Sequence, residues 1–222
     1  VIFGPQGSDI SQGRWGLSPT GLSYFSLPTA ALSNDTEEAS SNPDFHNALA
    51  LLRHLRISEI MYEPLGGKPY EFLELRNTGT VQLNLLGVSF TNGISFTFPS
   101  IILQPGEEIL VVGDLAAFES RYGRSLNVAG VFEGNLDNSG ETITLSLPAP
   151  FDAAILRFGY DPDWWPASAG SGFSLELQEP PPLSRDFDSQ LSWSQSAEIN
   201  GTPDTSGILI PTTFPEWLAF HE

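Results

Sequence analysis

Residues 57–79 read ISEIMYEPLGGKPYEFLELRNTG, two apolar runs parted by a glycine break at Gly66 and Gly67. In the second run Leu73 and Leu75 fall on one face and Phe72, Glu74 and Arg76 on the other, the two-residue period of a half-buried strand. The first run breaks that period, since Ile57, Ile60 and Met61 do not share one parity. A bulge, or a strand covered on both faces, accounts for the break. The stretch predicts the paired first and second strands of a β-sandwich.

Working outward, the rest of the chain supplies strand material in short pieces. Val81 to Leu86 and Val88 to Thr91 flank Gly87, and Asn92-Gly93 is a strong hairpin signal leading into Ile94 to Phe98. Pro105-Gly106 turns into Glu107 to Val112, whose unbroken run Ile109-Leu110-Val111-Val112 indicates burial on both faces. Asp114 is placed to cap a short helix, LAAFESRY, ending at Gly123, with Leu115, Phe118 and Tyr122 facing the sandwich. Strands follow at Val128 to Phe132, Thr142 to Leu147, Ala153 to Phe158 and Phe173 to Leu177; in the second of these Ile143, Leu145 and Leu147 alternate cleanly with Thr142, Thr144 and Ser146. Leu73, Leu75, Ile109, Val111, Ile143 and Leu145 are the predicted shared core. Pro180 to Pro182 reads as a stiff polyproline stretch, and Leu183 to Ser192 as a polar surface wrap.

The composition agrees with an all-β chain. Twenty-one glycines and 18 prolines without a low-complexity period, together with 15 phenylalanines in 222 residues, suit many short strands joined by turns. A formal charge of -18, from nine basic against 27 acidic residues, repels phosphates and argues against nucleic acid or an anionic membrane as a partner. The absence of cysteine excludes disulfides and thiolate metal sites but does not discriminate between compartments. No apolar run approaches the roughly 20 residues that span a bilayer, and Val1 does not open a signal peptide, so the chain reads as a mature product or a fragment.

Further landmarks follow in a fixed order: Leu85-Leu86-Gly87, Leu103-Gln104-Pro105-Gly106, Leu136-Asp137-Asn138-Ser139-Gly140-Glu141, Phe158-Gly159, Gly172-Phe173-Ser174-Leu175-Glu176 and Gly201-Thr202-Pro203. With ISEIMYEP and YEFLELRNTG they resemble the lamin tail domains, immunoglobulin-like modules of nuclear lamins that also occur in many secreted bacterial proteins. Asp204 stands where bacterial members usually carry glycine. The resemblance implies an immunoglobulin-like β-sandwich with one short helix over residues 56–204.

Outside that span, residues 1–34 resemble the C-terminal remnant of a preceding lamin-tail-like module, with Phe3-Gly4 echoing Phe158-Gly159 and Pro28-Thr29 echoing Thr202-Pro203. The alternative is an N-terminal extension packed on a single domain. If the chain starts inside a module, Val1 to Gly4 reads as an apolar strand in search of a sheet edge. Residues 35–55 read as a linker with a possible short helix in ALALLRHLR, for which Asn47 is a candidate cap. Residues 205–222 form a C-terminal extension, with an amphipathic helix expected from Pro215 that docks Trp217 and Phe220.

Chemistry is sparse. The histidines, His46, His54 and His221, lie outside the predicted sandwich, and no nucleophile elbow, phosphate loop or zinc spacing is present. Glu59, Glu71 and Glu74 offer paired carboxylates, yet on the outer face of a strand pair such groups are expected to be solvated or bonded to Arg76 or Lys68. Asp161, Asp163, Asp186 and Asp188 are candidate calcium ligands on loops, without the spacing of an EF-hand. Trp164, Trp165 and Trp193 are candidates for a sugar-stacking platform, against the reading that they plug the end of the core. The expectation is a non-enzymatic, extracellular structural or adhesive module of a large bacterial surface or secreted protein. It would need no cofactor beyond possible calcium, and neighbouring modules or copies of the same chain would be its partners. The rival is a carbohydrate-binding accessory module whose partner is a polysaccharide.

Overall fold

Ile57 and Ile60, three residues apart, both enter the core because the strand carrying them is bulged. The computed structural model describes residues 43–149, 151, 153–178 and 187–204, with the backbone of 11–14 and 22–25. Strands β1 (Ser11–Arg14) and β2 (Leu22–Phe25) form their own antiparallel pair. Expectations placed on Val1 to Gly4, Pro28-Thr29, Pro180 to Pro182, Asp186 and residues 205–222 lie outside the described residues. In β3 (Leu55–Met61), paired with β4 (Phe72–Asn77), Ile57 opposes Leu75 and Glu59 opposes Glu74, so Ser58 is the extra residue. The bulge shifts the parity by one, which sends Ile60 inward with Ile57. Both accounts of the irregular run hold at once, since the strand is also covered on both faces.

The remaining strands are β5 (Leu83–Asn84), β6 (Ser89–Asn92), β7 (Ile94–Thr97), β8 (Ile102–Leu103), β9 (Glu108–Val112), β10 (Val128–Val131), β11 (Glu133–Gly134), β12 (Thr142–Ser146), β13 (Ala154–Gly159), β14 (Leu175–Leu177) and β15 (Trp193–Gln195). One sheet has the order β10-β9-β4-β3-β14-β15 and the other β11-β7-β6-β12-β13, while β5 pairs with β8. All pairings are antiparallel except β10 with β9. The chain from β10 to β11 crosses from one sheet to the other, so a single segment occupies one edge of each and closes that side of the sandwich. The core lies between the sheets, and Leu73, Leu75, Ile109, Val111, Ile143 and Leu145 are all fully buried in it.

Among the described residues two α-helices pack on the sandwich. The first, α1 (Pro43–His54), begins before Asn47, so Asn47 lies inside it instead of capping it. Its side chain brackets β5, accepting from Asn84 N and donating to Asn84 O, each at 2.8 Å. Phe45, Ala48 and Leu51 enter the main core. The Arg56 guanidinium turns back to the helix end, donating to the carbonyls of Leu52, Arg53 and Leu55 at 3.3, 2.5 and 2.7 Å.

The second helix, α2 (Leu115–Tyr122), starts as expected, with Asp114 Oδ1 accepting from Ala117 N at 2.8 Å. Phe118 and Tyr122 set their rings edge-on to Phe72, each at 5.8 Å, in a second cluster with Met61, Leu110 and Val112 on the outer face of the six-stranded sheet. Leu115 departs from expectation, being 41 % exposed. Asp114→Ala is expected to cost about 1 kcal/mol, the usual loss of an N-terminal cap; a urea titration showing no change in midpoint would contradict that role. The polar stretch before Ser192 also differs from expectation, since Phe187 packs on the core and leads through a 3-10 turn into β15.

Candidate functional site

The triplets Ser58-Glu59-Ile60, Leu73-Glu74-Leu75 and Leu175-Glu176-Leu177 each place a glutamate opposite the core-facing residues of a strand. In the six-stranded sheet β14, β3 and β4 are adjacent, and the register sets Glu176 opposite Glu59 and Glu59 opposite Glu74. Three carboxyl groups thus form one ladder across the outer face. The half of that face toward α2 is apolar, and the ladder occupies the half covered by residues 198–204, here termed the closing segment.

The expectation that Glu59, Glu71 and Glu74 are solvated is overturned, for their exposures are 2, 3 and 3 %. For Glu59 and Glu74 the physical reason is this cover, supplied by a segment more than a hundred residues away in sequence. Glu59 Oε1 accepts from Ser174 Oγ and from Thr202 N, the latter at 2.9 Å. Glu74 accepts from Ser58 Oγ at 2.6 Å and from Asp204 N at 2.6 Å, while Glu176 accepts from Thr202 Oγ1 at 2.5 Å. Tyr122 of α2 clips the segment from the side, donating its hydroxyl to Asn200 O at 2.6 Å.

Burial pushes the Glu59 carboxyl up to about 8, with the neighbouring Glu74 and Glu176 charges adding to the effect and the Ser174 and Thr202 donors opposing it. Burial, reinforced by Glu108, likewise pushes Glu74 up to about 7. Burial raises Glu176 as well. Arg76 does not face Glu59; it pairs with Glu108 on β9 at 3.6 Å, further along the same face. Glu71 stands apart from the ladder, where its Oε2 accepts from Leu136 N at 2.9 Å and burial lifts it to about 7.

The segment's backbone is shaped for close approach. Asn200, Gly201 and Asp204 have φ of 78, 79 and 62°, and a Cβ on Gly201 would overlap Glu59 Oε1. Asp204 therefore preserves the left-handed turn that glycine makes elsewhere, a conformation aspartate tolerates better than most residues. Gly201→Ala combines backbone strain with that overlap and is expected to lower stability by about 1 to 3 kcal/mol. A thermal melt superimposable on the parent's would show that the segment does not press on Glu59.

The other residues singled out from sequence are dispersed. Asp161 and Asp163 are exposed on one loop, where Asp161 Oδ1 accepts from Asp163 N at 2.9 Å. Asp188 Oδ1 accepts from Gly159 N at 2.5 Å. No group of three or more histidine, aspartate or glutamate side chains placed to hold a metal ion occurs among the described residues. Trp193 is 1 % exposed, packed on Phe158 at 5.3 Å with its indole N–H donating to Phe187 O at 2.9 Å. Trp164 and Trp165 are half-buried against the same core. A polar cleft of about 520 Å³ lies at the far end of the outer face, lined by Glu107, Glu108, Asn127 and Asp204 beside Ile101 and Ile102. Two of its acids are already engaged, Glu107 by Gln104 N at 2.7 Å and Glu108 by Arg76.

Two packed sheets, antiparallel but for one edge strand and sealed by helices, define the chain as an immunoglobulin-like β-sandwich. Residues 52–160 match the family model described as the Lamin Tail Domain, and over those residues the chain belongs to that family. No curated protein and no solved structure matches the chain. The family is one of non-catalytic immunoglobulin-like domains, compatible with structural and protein-interaction roles. No helix among the described residues is long and apolar enough to cross a membrane.

Proposed function

We propose that the chain is a non-catalytic structural module of a secreted or surface-exposed bacterial protein, holding neighbouring modules or copies of itself in an extracellular array. The observation that carries this reading is how the carboxyl groups are used. Glu59, Glu74 and Glu176 accept hydrogen bonds that fasten the chain's own closing segment, and they do not line an open cleft where a base would meet a substrate. Antibodies against the chain should label intact source cells or their medium, and cross-linking there should capture the chain joined to other surface protein. Recovery from the cytosol alone would overturn the proposal.

A second reading rests on Trp164, half-buried on an exposed loop with Asp161 and Asp163 beside it. An aromatic face flanked by acceptors suits a sugar ring. Retention of the chain on an insoluble polysaccharide, lost in Trp164→Ala, would favour it over the structural reading. Equal passage of both proteins through the column would remove it.

A further inference from the structure

The closing segment is held in an unusual way for a piece of chain lying on a sheet. None of residues 197–204 is buried, and Ile199, its one large apolar side chain, is 52 % exposed. Apolar burial therefore contributes little to its attachment. Four ties reach the outer face, all of them polar, namely Thr202 N to Glu59, Thr202 Oγ1 to Glu176, Asp204 N to Glu74 and Asn200 O to the Tyr122 hydroxyl, while away from the ladder Asn200 N donates to Gly172 O at 2.6 Å. Three of these four ties end on carboxyl groups that stand directly across from one another on adjacent strands. Asn200 and Asp204 hold left-handed backbone conformations to make them. A segment with few apolar contacts and a strained backbone lies at the low end of local stability.

We propose that residues 198–204 form a proton-dependent latch: while the Glu176–Glu59–Glu74 ladder carries protons the segment lies closed on the sheet, and when the ladder ionises the segment lifts off and the sandwich stays folded. Three ionised carboxylates side by side repel one another and require water, and over Glu59 and Glu74 the segment is what keeps water out, while Glu176 is half-buried at the ladder's end. The groups facing the ladder do not neutralise it. From β9 comes Glu108, paired with Arg76 of β4; from α2 the Tyr122 phenol, itself pushed up to about 12 by burial, and behind it Arg121, whose guanidinium is held by Leu65 O and the Tyr70 ring; from the closing segment Asp204. Arg56, on the ladder's own strand, is turned to the end of α1. Lifting the segment admits water to the ladder at the loss of few apolar contacts, whereas the core face of the same sheet remains sealed.

Amide hydrogen exchange of the full chain at pH 5.5, 7.0 and 8.5, corrected for the intrinsic dependence of exchange on pH, tests the latch. Protection at Thr202 and Asp204 should fall at least tenfold relative to Leu73 and Leu75 between the first and last conditions. Glu59→Gln keeps an acceptor for Thr202 N and removes the central charge, so it should hold those amides protected at pH 8.5; Glu176→Gln serves as the second variant should the first not fold. A constant ratio of protection would overturn the proposal. So would parallel loss at the segment and the central strand, since that is unfolding of the whole domain.

Discussion

Stability is expected to fall as the pH is raised from about 4.5 to about 8, the reverse of the acid denaturation usual for a chain rich in ordinary paired carboxylates. The sign follows from proton counting. Glu59 releases its proton near 4.5 when unfolded but holds it to about 8 when folded, and Glu71 and Glu74 hold theirs to about 7. Between those limits the folded state binds more protons than the unfolded one, so each rise in pH favours unfolding. The stabilising contribution is complete below about 4.5 and is lost as pH passes through the folded values. For Glu59 alone the shift corresponds to something on the order of 5 kcal/mol, an upper bound if the closing segment lifts and lets water reach the carboxylate. Urea midpoints should therefore be higher at pH 5 than at pH 8. Glu59→Gln should flatten the curve and be the more stable protein at pH 8. A midpoint that is level or rises over this window would refute the burial of these carboxyls.

Leu75→Ala is the second large effect. Leu75 is fully buried at the centre of the six-stranded sheet, between Ile57 on β3 and Ile109 on β9, and faces the second sheet across the core. Truncation removes its transfer free energy and leaves a cavity whose walls are strands pinned on both sides, which limits collapse. The expected loss is about 2 to 5 kcal/mol. A loss under roughly 1 kcal/mol in denaturant titration would mean that the face of β4 has been misassigned, since a one-residue slip sends the whole strand's side chains to the other side.

Much of the core was legible because period-two alternation is local. Leu73, Leu75, Ile143 and Leu145 declare their faces within a few residues, and the Asp114 cap with Gly123 past the helix end is equally local. The parity break at Ile57 and Ile60 was visible too, although choosing between a bulge and a strand covered on both faces required the pairing register, which showed both. The site was less legible. The recurrence of Leu-Glu-Leu at residues 73–75 and 175–177 is a signal that could have linked Glu176 to Glu74, yet alternation alone says only that these side chains leave the core.

The sequence by itself determined an all-β sandwich, most of its strands and the ordered landmarks of the lamin tail domain family, because these rest on short-range pattern and turn chemistry. Tertiary structure alone decided that the outer face is not a solvent face. Glu59 and Glu74 lie under residues 198–204, more than a hundred residues further along the chain, and Phe187 packs on the core from a stretch that reads as polar surface. A carboxyl's environment is set by whatever packs over it, and dielectric and proton affinity change with that cover while the side chain's own sequence neighbourhood stays the same.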